Sequence, residues 1–170
     1  MPRPQPGEYK EYMNNYIELL PEVDILPTMN QSMEELAREL DSIPSALADH
    51  RYQDGKWSVK QLLQHVIDSE RVFAYRALCF ARGEQQPLPG FDENEYAAHA
   101  GVSGRGLKDL CEEMMAVRRS TVLLFTHLGE ADLRREGTAS DARVLVNSLG
   151  YVIVGHWRHH WNILKTRYGV

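Results

Sequence analysis

Two of the seven histidines in this 170-residue chain, His156 and His160, stand four apart in Gly155-His156-Trp157-Arg158-His159-His160. On a helix, at about 100° per residue, such a pair lies within about 40° on one face, so both imidazoles can reach one metal ion. The same face carries Leu145, Leu149, Val152 and Ile163, which marks it as the stripe that faces the core. Two adjacent imidazoles there leave several polar nitrogens to satisfy in an apolar interior. A shared cation satisfies them together, but bonds to backbone or water would do so as well. Spacing and placement leave both readings open.

A site of two ligands is weak, so a third group must come from a facing helix. His65, in Gln64-His65-Val66-Ile67-Asp68, is the best candidate, with Ser69, Val72 and Arg76 on the same side of its helix. Taken alone it reads more readily as a structural histidine. His50 and His99 fall in loop-like segments and His127 ends a helix. His159 points about 60° from His156, away from His160, toward the surface or the back of a ligand. Arg76 offers a guanidinium to the bundle interior, where it needs a carboxylate or phosphate partner. It can clamp the anionic group of a substrate, although pairing with Asp92, Glu93 or another internal acid is the plainer reading. Glu70 points about 140° from His65, whereas Asp68 is placed to bond a group behind the ligands. Trp57, Met114 and Met115 read as packing residues.

These side chains need helices to hold them. Tyr9 to Leu20 reads as a short helix stopped by Pro21. Met33, Leu36, Ala37 and Leu40 recur at helical spacing and predict a first bundle helix over Gln31 to Ile43, before Pro44. Asp54-Gly55 is a turn signal, and Ser58-Val59-Lys60-Gln61 is a capping box that opens a second helix, running to about Arg82. Gly83 to Arg105, rich in proline and glycine, is too long for a tight hairpin and reads as a crossover that can cover a site. A third helix fits Leu107 to Leu128, ended by Gly129, and a fourth fits Ala142 to Tyr168, ended by Gly169. No strand pattern competes. The expected fold is all-α, an antiparallel four-helix bundle over residues 29–170 with one long crossover, and residues 1–28 form an N-terminal extension packed on it.

The formal net charge of −5 lacks the basic footprint that phosphate backbones require, which argues against nucleic acid as a partner. No secretory leader or membrane span is visible, and two cysteines, Cys79 and Cys111, make no disulfide framework and read as buried thiols. A cytoplasmic location is expected. The fourth helix carries a second apolar strip, Val146, Gly150, Val154, Trp157, Trp161 and Tyr168, that suggests a homodimer unless the crossover or the N-terminal segment covers it.

The stretch Tyr52 to Arg71, followed by Gly155 to His160, resembles the DinB-like superfamily, specifically its YfiT-type branch, with agreement at Tyr75-Arg76-Ala77-Leu78 and Leu88-Pro89-Gly90-Phe91-Asp92. The resemblance implies a four-helix bundle, often dimeric. One histidine of the second helix and the outer two of H-x-x-x-H on the last would be the metal ligands, here His65, His156 and His160. It implies one divalent ion, zinc, nickel, iron or manganese, with positions open for water or substrate. The activity implied is that of a transferase joining a low-molecular-weight thiol, such as bacillithiol, to a small electrophile. A metal-binding stress-response module without turnover and a metal-dependent hydrolase are the alternatives.

Overall fold

The computed structural model describes residues 3–21 and 24–170. After a 3-10 turn at Glu11–Met13 and the short helix α1 (Asn14–Ile17), four long helices form the bundle: α2 (Ile25–Asp41), α3 (Val59–Ala81), α5 (Leu107–Thr126) and α7 (Val146–Ile163). α2 and α3 each pack against both α5 and α7, so these two consecutive helices face one another across the bundle diagonal. No helix among the described residues is long and apolar enough to cross a membrane.

Local chemistry explains the starts and stops. The Ser58 hydroxyl accepts from the Gln61 amide at 3.2 Å and the Gln61 side chain accepts from the Ser58 amide at 3.0 Å, the expected capping box. Gly83, at φ +84°, follows the end of α3. α2 starts six residues before the expected Gln31, because Pro27 falls in its first turn, where no intrahelical N–H is needed. Gly129 does not end α5; it caps the one-turn helix α6 (Glu130–Leu133). The crossover from Gly83 to Arg105 contains α4 (Glu93–His99), whose first amides bond Asp92 at 2.8 and 3.1 Å.

The expectation of no strands fails at one place. Glu136–Ala139 and Ala142–Leu145 form an antiparallel hairpin, β1 and β2, and α7 begins only after it. Ser140 and Asp141 make its two-residue turn with φ +51° and +59°, the left-handed pair of a type I′ turn, built without the glycine that usually signals one. Gly137 lets the hairpin sit on α3, since a Cβ there would fall 2.1 Å from the Phe80 ring. Leu88 of the crossover joins it, its amide donating to the Thr138 carbonyl and its carbonyl accepting from the Ser140 amide.

Two apolar clusters make up the core. One gathers Met13, Ile17 and Met29 with Phe73, Phe125 and the first half of α7; the other gathers Leu36, Leu63, Ile67 and Met114 with Trp157. A polar layer separates them. Ser32, Glu70, Arg118 and His156, one from each long helix, fall between these clusters in sequence and are all buried. Arg118 donates to the Glu70 carboxylate at 2.8 to 3.0 Å and to the Ser32 hydroxyl at 3.0 Å.

The apolar strip of α7 is covered by the chain itself. Val146, Gly150, Val154, Trp157 and Tyr168 are buried and Trp161 is half-buried. A Cβ on Gly155 would lie 2.2 Å from the Tyr16 carbonyl oxygen, and one on Gly150 would meet Phe125 and Ile25. The strip therefore gives no argument for a second copy. Cys79 and Cys111 are free and half-buried rather than fully buried.

Candidate metal centre

α3 and α7 bring three imidazoles to one point. The Nε2 atom of His156 lies 3.2 Å from Nε2 of His65 and 3.1 Å from Nε2 of His160. One ligand atom from each of the three lies within 4.8 Å of the others, a grouping that could hold a metal ion. Two nitrogens bound at about 2.1 Å to one ion stand roughly 3.0 to 3.4 Å apart at bond angles between about 90° and 109°, so the two separations at His156 suit nitrogens that share one divalent cation. His156 and His160, one turn apart, come from a helix buried on every side from Val146 to Trp157; His65 comes from the first half of α3.

Aromatic rings close the site. Trp57, just ahead of the α3 cap, lies 4.7 Å from the His65 ring, centroid to centroid. Tyr16 stands edge-on to His156 at 5.2 Å and to His159 at 5.4 Å, and Phe73 stands edge-on to His156 at 5.9 Å. A cavity of about 380 Å³ opens onto the three histidines, with Ser69, Phe73 and Arg76 of α3 along one wall. Tyr12, Tyr16, Phe91 and Ser140 contribute the other walls. Ser69 Oγ and His160 Nδ1 are buried with no partner among the described residues.

Burial holds all three rings neutral. It lowers the pKa of His65 to about 4, with His159 adding to the effect, and it lowers His156 and His160 well below the ordinary imidazole value, with their histidine neighbours adding to the effect. In the unfolded chain the same groups titrate near 6.5. Below that pH the unfolded state binds more protons, so the stability these rings contribute is fully present above about pH 6.5 and declines as pH falls toward about 4. Denaturant titrations of the chelator-treated protein at pH 7.5, 6 and 5 are expected to show that loss, and a His65→Asn, His156→Asn double variant is expected to flatten it.

The other candidates are placed as follows. His50, His99 and His127 are exposed and away from the cavity, whereas His159, half-buried, lines it. Trp57 packs as expected but also forms a cavity wall. Asp68 accepts from the Gln64 side chain at 2.9 Å and takes no place behind the histidines. Arg76 does not pair with Asp92 or Glu93: its Nη2 donates to the Pro89 carbonyl at 2.8 Å and to the Ser140 hydroxyl at 3.0 Å. Tyr12, Tyr16 and Ser140 carry no motif that could have flagged them; they reach the site only through the fold of the N-terminal segment and the hairpin.

Comparison with known proteins agrees with this architecture. The fold is similar to that of YfiT from Bacillus subtilis, described as a probable metal-dependent hydrolase with an unusual four-helix bundle topology, at 16% identity and a TM-score of 0.71, covering 95% of this chain and 89% of that one. It is also similar to a mycothiol-dependent maleylpyruvate isomerase, at 19% identity and a TM-score of 0.65, covering 85% of this chain but 61% of the isomerase. A substituted form of that isomerase gives 17% and 0.66. No curated protein matches the sequence. At such identities the structural likeness speaks for the fold alone. The sequence itself matches the DinB superfamily over residues 28–164, a span that takes in α3, α5 and α7 whole and nearly all of α2, and the chain belongs to that superfamily.

Proposed function

We propose that this protein is a metal-dependent S-transferase that binds one divalent ion through His65, His156 and His160 and uses it to activate a low-molecular-weight thiol. The observation that carries the reading is the convergence of three neutral Nε2 atoms at the floor of an open cavity. A divalent ion held there by uncharged ligands keeps its full charge, which lowers the pKa of a thiol bound to it and favours thiolate at neutral pH. The chain's own groups do the rest. Trp57, Tyr16 and Phe73 pack against the histidine rings, and burial keeps those rings neutral and ready to bind. Of the similar folds, one belongs to an isomerase that depends on the thiol mycothiol and one to a probable metal-dependent hydrolase, so the fold accommodates a thiol or water as the activated group. We read the bundle as the unit that carries the site and the N-terminal extension as its cover, since Tyr12 and Tyr16 wall the cavity.

The test is cobalt-substituted protein titrated with bacillithiol, mycothiol, glutathione and cysteine. A new thiolate-to-cobalt absorption band with one of them, released protons, and conjugation lost on chelation are expected. Absence of any band across the four, with ester hydrolysis that depends on the ion, would favour a hydrolase; absence of both would favour a binding module without turnover.

A further inference from the structure

Arg76 is a buried cation with no counter-ion among the described residues. The residue is 3% exposed, yet none of the described carboxylates lies within 4.0 Å of its guanidinium. Two hydrogen bonds are made, both from Nη2, to neutral oxygens of Pro89 and Ser140. Nε and Nη1 have no hydrogen-bond acceptor among the described residues. Phe91 lies against the guanidinium, 5.9 Å from its ring centroid, and Glu93, exposed at the rim, is beyond ion-pair distance. A guanidinium removed from water and left uncompensated is costly, and burial here also works against its charged form. An anion that enters the cavity would relieve that cost. Arg76 is fixed for the purpose, with Nη2 tied to the crossover and the hairpin turn while the Nε and Nη1 donors are left over.

The same wall holds a second unmet group. Ser69 is 1% exposed, lines the cavity and has an unpartnered hydroxyl. His65, Ser69 and Arg76 follow one another along one side of α3 and all line the cavity. About 16 Å of helix separates the first Cα from the last, and an arginine side chain leans back toward the helix N-terminus, shortening the gap.

We propose that the cavity takes an elongated carboxylate-bearing substrate, its carboxylate held by Arg76, a polar atom along its length held by Ser69, and its reactive end at the histidines. The proposal rests on the metal-site reading for the orientation of the ligand. The carboxylate can belong to the thiol or to the second substrate, and the planar fork of arginine suits either.

Two pairs of probes separate the cases. Cobalt-loaded protein is titrated with glutathione and with its diethyl ester, read by the thiolate band; protein with and without metal is titrated with hexanoate and with hexanamide, read by tryptophan fluorescence. Wild type is expected to bind at least one acid roughly tenfold or more tighter than its neutral counterpart. Preference within the thiol pair alone places the carboxylate on the thiol, and preference for hexanoate in protein saturated with the ester places it on the second substrate. Arg76→Met is expected to remove the preference while leaving the neutral probe's affinity unchanged, Arg76→Lys to keep part of it, and Ser69→Ala to weaken both probes of a pair. Equal affinity for acid and neutral probe in wild type, in both pairs, overturns the proposal whether or not any variant folds. If the histidines hold no metal, the cobalt band never forms, and the hexanoate pair on metal-free protein still tests Arg76.

Discussion

Replacing His156 by alanine is expected to lower divalent-metal affinity by more than about a hundredfold, beyond the ten- to hundredfold typical of losing a group behind a ligand. His156 is the most consequential of the three, because its Nε2 is the atom within 3.1 to 3.2 Å of both others. Removing it leaves His65 and His160, whose ring centroids lie 4.9 Å apart, as a two-ligand site. Elemental analysis after dialysis against a weak chelator should give about one ion per wild-type chain and near none in His156→Ala. His159→Ala is the control: that ring lines the cavity but is not in the three-nitrogen group, so its loss should spare the metal. Full occupancy in His156→Ala together with loss in His159→Ala would show the ligand assignment to be wrong.

The second large effect concerns stability. Arg118 and Glu70 are fully buried and joined by two donors onto one carboxylate. Arg118→Leu alone leaves the Glu70 carboxylate buried without its partner, and breaking such a pair costs about 3 to 5 kcal/mol. Replacing both by leucine removes both desolvation costs and is expected to recover most of that loss. Urea denaturation of the two single variants and the double variant measures the difference. A double variant as unstable as the sum of the singles would mean that the apolar replacements do not fit the space.

Much of the frame was legible because its signals are local. The Ser58 and Gln61 pair announces the start of α3, and proline and glycine bound the crossover. The histidines came partly from spacing and chiefly from family resemblance, since an i,i+4 pair on a core face has two readings until a third ring is seen beside it. The hairpin escaped because four residues, Ala142 to Leu145, cannot be told from a helix start by periodicity, and Ser140-Asp141 lacks the usual turn glycine. The sequence marks Arg76 as a cation needing partners, but those partners lie 13 and 64 residues away, and no local pattern reports such a distance. For Glu70 the helical spacing gives only the direction it does not face; its link to Arg118 depends on the packing of α3 against α5.

The polar layer has a consequence for how this chain selects one fold among its near neighbours. Apolar helix faces tolerate sliding, since leucine meets leucine in many registers. A slip of α5 by one turn would carry Arg118 about 5.4 Å along the axis, away from Glu70 and Ser32, and would strand two charges in an apolar interior. A comparable slip of α7 would carry His156 away from His65. Each long helix is pinned at the same height, so the alternatives that a hydrophobic pattern alone would permit are raised in energy and the native arrangement is left with a gap beneath them.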